Sequence, residues 1–224
     1  MINIKDKKLI LLPPKTGTIS FESFFKNEFC GYAPYSRKSR TKHVHMYLFE
    51  AIKCYRIKDI QNWQIYQTAR NPMDRIVSAF LHQKRIMKKN GRDVDRIKFE
   101  SFVENLNLHH RLLPEKERAF ASAVFLRDVA ITRRKQRKNS AGVRFYVPQT
   151  TWANPNQFNV QYIKLGENNS KLYADMGLPE DLELPQLNRG GLDKSSYTDM
   201  HTDKTKEIVR SLYKEDFLKI NYEQ

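Results

Sequence analysis

The feature that most limits what this chain can fold into lies within its first 30 residues. Lys8-Leu9-Ile10-Leu11-Leu12 is a short apolar run, halted by Pro13-Pro14 and a turn containing Gly17. From Ile19 onward Phe21, Phe24, Phe25 and Phe29 recur at spacings of 3, 4 and 8 residues, which places them on one helical face. The run is far too short for a membrane span or a signal sequence, and it reads as a fully buried strand. Strand, tight loop, helix is the opening unit of an α/β fold.

A second unit repeats this order. Trp63 to Ala69 alternates bulky residues as a strand does, Arg70-Asn71-Pro72 closes it, and Pro72 suits the first turn of a helix because its missing N–H costs nothing there. Ile76, Val77, Phe80, Leu81 and Met87 form the apolar stripe of that helix. Between the two units, His45 to Arg56 is predicted helical with Leu48, Phe49 and Ile52 inward. Helices are also predicted over Phe99–Leu108 and Glu115–Val129, a strand over Val160–Leu165, and a short helix after Glu167. Ile208, Val209, Leu212, Tyr213, Phe217 and Ile220 share the face of one closing helix, capped by Thr202 or Asp203. Strands alternating with helices predict an α/β fold with a P-loop-like, mainly parallel central sheet flanked by helices. No repeat and no linker-like stretch is visible, so the expectation is a single domain over residues 1–224.

A loop between a buried strand and a helix is where α/β proteins hold phosphates, because unsatisfied amides there face the positive end of the helix dipole. In Pro13-Pro14-Lys15-Thr16-Gly17-Thr18-Ile19-Ser20, Gly17 permits close approach, Lys15 brings a charge, and Thr16, Thr18 and Ser20 offer hydroxyls. This is not the nucleotide triphosphatase pattern GxxxxGKS/T, since the lysine precedes the glycine. The second constellation is Arg70 to Phe80. Arg70 stands at a strand end, where ligands collect in open α/β sheets, and Ser78 lies about two turns into the next helix. A phosphate between that guanidinium and that hydroxyl would be held by charge-assisted hydrogen bonds. Arg75 reads as a brace for the loop.

Together these motifs resemble the sulfotransferase superfamily that uses 3′-phosphoadenosine 5′-phosphosulfate (PAPS). Within it they resemble the carbohydrate and bacterial branch related to heparan sulfate 2-O-sulfotransferases. The order PKTGT looks like that family's 5′-phosphosulfate loop and RNPxxRxxSAF like its 3′-phosphate motif. Val147-Pro148-Gln149-Thr150, Leu184-Pro185-Gln186-Leu187-Asn188 (with Gln for a histidine) and Leu212 to Phe217 through Asn221-Tyr222 resemble further stretches. The likeness runs from Leu9 to Tyr222, with no matching motif between Asn90 and Arg144. Where relatives often carry Arg-Phe-Glu, this chain has Lys164-Leu165-Gly166-Glu167.

The resemblance implies a transferase moving a sulfuryl group from PAPS to an acceptor hydroxyl by in-line displacement, with adenosine 3′,5′-bisphosphate as product and no metal. It assigns Pro14, Lys15, Thr16, Gly17, Thr18 and Ile19 to the donor's reacting end and Arg70 and Ser78 to its 3′-phosphate. Arg189-Gly190-Gly191, by position and charge, is a basic loop that closes over the donor. A base must accept the acceptor's proton, and histidine suits neutral pH. His43 and His45, in Lys42-His43-Val44-His45, occupy the place of the branch's proposed catalytic base; His43 is the first choice, with His45 as the base itself or its partner. A metal pair would need further ligands that no Cys or carboxylate pattern supplies.

Charge enters last. Forty Lys and Arg against 25 Asp and Glu give +15, which calls for an anionic partner. The donor is one such partner; the acceptor expected here is a carbohydrate, with an anionic glycan favoured by the basic surface. Arg133 to Lys138 is a basic run that is either a solvated face or a binding segment. The rival readings are a P-loop-type kinase, opposed by the missing GxxxxGKS/T, and a nucleic-acid-binding protein, for which no recognition helix, RRM or zinc signature is found. Cys30 and Cys54 form no CxxC pair, which favours a reducing compartment. With a charged start at Met1 to Lys8, the expectation is a soluble, cytoplasmic protein.

Overall fold

The computed structural model describes residues 2–3, 5–25, 45–91, 93–112, 146–182 and 194–223. They form an α/β fold built on a four-stranded, mainly parallel sheet, as the alternation of strands and helices predicts. The chain divides into two compact units, Met1–Arg70 with Gln149–Asn188 and Asn71–Pro148 with Arg189–Gln224.

The first unit holds the sheet, in the order β1 (Ile2–Asn3), β2 (Lys8–Leu11), β3 (Gln64–Ala69), β4 (Val160–Lys164). β1 is antiparallel to β2, while β2, β3 and β4 run parallel, with Leu11 opposite Gln67 and Gln67 opposite Tyr162. Strand alternation sends Ile10, Leu12, Tyr66 and Ile163 to one face, where they pack with Phe21 of α1 (Thr18–Phe25) and Tyr173 of α5 (Ser170–Asp175). Leu9, Leu11 and Ile65 face the other way, onto Leu48 and Ala51 of α2 (Leu48–Tyr55). Both faces are therefore covered, which is why β2 reads as an unbroken apolar run rather than an alternating one. β1 has no strand-like pattern of its own and was not anticipated.

One inward assignment on α2 is corrected. Phe49 is 52% exposed, because the buried stripe runs through Leu48 and Ala51 and position 49 falls a third of a turn away from Leu48. Its ring stacks instead on Tyr47, which in turn stacks on the buried Trp152 at 4.3 Å.

The second unit is helical: α3 (Pro72–Lys89), α4 (Phe99–Leu112), α6 (Lys194–Asp199), α7 (Asp203–Leu212) and α8 (Lys214–Ile220). Pro72 opens α3 as expected, and the Asn71 side chain accepts from Met73 N at 2.9 Å. Phe80, Phe99, Phe102 and Tyr146 form a ring cluster with centroids 5.2–5.5 Å apart along its contacts. Arg75 is buried and donates from Nη1 to Val147 O at 2.8 Å, so it does brace the chain. The closing helix is two helices. Tyr213, at φ −114°, breaks it, and its buried hydroxyl donates to Tyr146 O at 2.8 Å. Thr202 is the N-cap, accepting from Thr205 N at 3.3 Å.

The helix predicted over Glu115–Val129, the basic run Arg133 to Lys138 and the Leu184–Asn188 stretch lie outside the described residues. Among the described residues no helix is long and apolar enough to cross a membrane.

Candidate active site

The loop after β2 is shaped by two left-handed residues. Lys15 has φ 69° and Gly17 φ 80°. For glycine this conformation is easy; for lysine it costs about 1–3 kcal/mol, a strain that is retained where surrounding structure imposes it. Gly17 is also closely approached by a neighbouring side chain. A Cβ placed there would lie 2.9 Å from Leu165 Cδ1, just past the end of β4.

The loop's hydroxyls do not face outward as the sequence suggests. Thr16 Oγ1 donates to Pro13 O at 2.6 Å, and Thr18 Oγ1 donates to the same carbonyl at 3.1 Å. With its one proton so engaged, Thr16 accepts from Thr68 Oγ1 of β3 at 2.6 Å. Thr16 is fully buried, Thr18 nearly so, and Ser20 is buried as well. These side chains fold the loop onto the sheet. What the loop presents is main chain: among the described residues the amides of Thr16, Gly17, Thr18 and Ile19 have no protein partner, and the first helical bond is Phe21 N to Gly17 O at 3.1 Å. Successive amides of this kind at a helix N-terminus form a concavity suited to an anion. Lys15 is half-buried beside them.

His45 is tied to the same strand end. Its Nδ1 lies 2.7 Å from Leu12 O, one residue before the loop begins. A carbonyl only accepts, so Nδ1 carries the proton, and in the neutral ring the lone pair is on Nε2. The next residues are fixed as well: Tyr47 N donates to Glu50 Oε2 at 2.9 Å, and Leu48 N donates to Trp152 O at 2.8 Å. His43 and Arg189 lie outside the described residues.

Arg70, half-buried at the end of β3, has both main-chain groups closed by one side chain. Its N–H donates to Gln149 Oε1 at 2.8 Å, and its carbonyl accepts from Gln149 Nε2 at 2.9 Å. Sequence reasoning noted Gln149 within the Pro-Gln-Thr stretch without assigning it a task. The end of β4 is closed in the same way by Asn169, which the sequence reading missed. Lys164 N donates to Asn169 Oδ1 at 2.9 Å, and Asn169 Nδ2 returns the bond to Lys164 O at 2.9 Å. In the second unit Ser78 is half-buried on α3, and its hydroxyl has no protein partner among the described residues.

A parallel sheet whose strand end opens into a row of unengaged amides, beside a lysine and a histidine of fixed tautomer, defines an anion-handling α/β protein with the groups for acid–base chemistry. The chain belongs to the sulfotransferase family: a family model of that description matches residues 16–223, from within this loop nearly to the last residue. No curated protein and no solved structure matches it significantly. It is a sulfotransferase, an enzyme that transfers a sulfuryl group to an acceptor.

Proposed function

We propose that the donor is PAPS, that the acceptor is a carbohydrate hydroxyl, and that transfer is an in-line displacement at sulfur. The observation that carries the donor reading is the run of unengaged amides from Thr16 to Ile19, with Lys15, at the head of α1. The acceptor oxygen attacks sulfur, the bond from sulfur to the 5′-phosphate oxygen breaks, and adenosine 3′,5′-bisphosphate leaves. Negative charge then grows on the 5′-phosphate. Lys15 and the amides of Thr16 to Ile19 meet that charge as it develops, so they favour the transition state over the ground state.

The acceptor's proton passes to a histidine. His43 is the first choice and His45 the base itself or its partner; for His45 the support is its Nδ1–H bond to Leu12 O, which orients the ring at the strand end. Arg70 and Ser78 take the 3′-phosphate on the strength of the RNPxxRxxSAF run, binding a group that does not react and so fixing the donor's register. Arg189-Gly190-Gly191 closes over the donor as a basic loop. No metal takes part in this scheme. The family match spans both compact units, which supports their acting as one sulfotransferase domain over residues 1–224. The further motifs support the branch related to heparan sulfate 2-O-sulfotransferases, and the +15 charge supports an anionic glycan as acceptor.

The deciding measurement is a thermal-shift comparison of adenosine 3′,5′-bisphosphate, ADP and ATP. Stabilisation by the 3′,5′-bisphosphate alone is expected. An equal response to ADP refutes the assignment of Arg70 and Ser78, and a magnesium-dependent response to ATP favours a kinase.

A further inference from the structure

Along a strand, alternate residues direct their N–H and C=O groups to opposite neighbours. In β3, Gln64 N donates to Lys7 O at 2.9 Å on the β2 side, and Ala69 O accepts from Leu165 N at 2.7 Å on the β4 side. By that alternation Arg70 turns both of its main-chain groups towards β2. But β2 has ended at Leu11, and beyond Leu12 the carbonyl of Pro13, which continued pairing would bring to Arg70 N, is held by the hydroxyls of Thr16 and Thr18. The place of the missing strand is filled by the Gln149 side chain, whose amide makes with Arg70 the two bonds that a neighbouring strand would make. Gln149 is itself fixed. It is fully buried, and its carbonyl accepts from Nε2 of the buried Gln67 at 2.8 Å and from Trp152 N at 3.1 Å.

We propose that Gln149 is a positioning residue for the donor's 3′-phosphate: by clamping both sides of the Arg70 main chain it sets the direction in which the guanidinium leaves the sheet. One bond would leave the peptide free to swing about it; two parallel bonds do not. This rests on the reading of Arg70 as the 3′-phosphate ligand. Gln149 touches no substrate, so its effect appears only through Arg70.

Calorimetric titration with adenosine 3′,5′-bisphosphate and with adenosine 5′-monophosphate, which lacks the 3′-phosphate, tests it. Arg70→Ala is expected to weaken the bisphosphate roughly 10- to 100-fold and to leave the monophosphate within about twofold. Gln149→Leu, similar in volume but without the amide, is expected to weaken the bisphosphate about tenfold with the monophosphate again nearly unchanged. The double variant should bind no more weakly than Arg70→Ala alone.

Gln149→Glu provides a test that does not depend on the leucine variant folding. Its carboxylate repels the Arg70 carbonyl at about pH 8; near pH 5.5 a buried carboxyl regains a proton, and with it the donor for that carbonyl, so the bisphosphate preference should recover. Equal weakening of both nucleotides, additive losses in the double variant, or no recovery in acid would overturn the inference. If Arg70→Ala leaves the bisphosphate preference intact, the donor reading of Arg70 fails and this inference falls with it. A clear Arg70 effect beside silent Gln149 variants overturns the positioning role alone.

Discussion

β2 and β3 lie side by side, run in the same direction and end within two residues of the same register, yet their ends are built in opposite ways. β2 ends in a turn with two left-handed residues, Lys15 and Gly17; the hydroxyls of Thr16 and Thr18 fold back onto Pro13 O, and among the described residues the amides of Thr16 to Ile19 have no protein partner. At the end of β3 the Arg70 amide and carbonyl are both closed by Gln149. An open end offers main chain, which has dipoles but no reach. A closed end offers only a side chain, which has reach and a full charge. The difference teaches that neighbouring strand ends can present two kinds of group, and on the proposed reading the open kind meets charge that develops in the reaction and the closed kind charge that is constant.

The contrast is broken most sharply at the open end. His45→Gln keeps a donor for Leu12 O but removes the imidazole proposed as a base, and on that reading turnover is expected to fall about 10³-fold. Lys15→Ala is expected to lower kcat roughly 10²-fold with little change in bisphosphate affinity, whereas Arg70→Ala should do the reverse. If both substitutions act on affinity alone, the two ends share one task and the distinction collapses.

Gly17→Ala should weaken bisphosphate binding about tenfold, since a Cβ adds left-handed strain and meets Leu165. Leu165→Ala in the same chain removes that contact and should restore part of the loss in a titration. The smallest effect is expected at His201, which belongs to neither strand end. Burial lowers its pKa, against the hydrogen bond to Met73 O that raises it; Lys206 lowers it further and Asp74 raises it. A folded pKa below the unfolded value near 6.5 means that the unfolded chain takes up the proton first. Stability should therefore decline as pH falls from about 6.5 through the folded pKa, and His201→Gln should flatten that slope in thermal melts. The same variant should leave the preference for bisphosphate over monophosphate unchanged.

The open end was legible in the sequence because its determinants are local: an apolar run, two prolines, and a lysine before a glycine. The direction of its hydroxyls was not, since Thr16 and Thr18 have polar atoms that satisfy a nearby carbonyl as readily as a ligand. The closed end was only half legible. Arg70 could be found from RNP, but its partner lies at Gln149, and no periodicity links the two. The one available signal was chemical: Gln67 and Gln149 are long polar residues, and Gln67 sits inside an otherwise apolar strand, so both must find partners if buried. Phe49 was misplaced because Leu48, Phe49 and Ile52 are all apolar and the pattern alone does not rank adjacent positions, whereas Tyr213 broke the closing helix through a hydrogen bond to Tyr146, which sequence spacing does not encode.

The Leu165 methyl group lies where Gly17 lacks a Cβ, so the two positions are sterically coupled. A bulkier residue at 165 would press on the same turn. Tolerance at either position is thus conditional on the other, and the loop's shape depends partly on the turn after β4, which is distant from it in the sequence. Grafting PKTGT onto another scaffold would transfer its letters without the surface that moulds them.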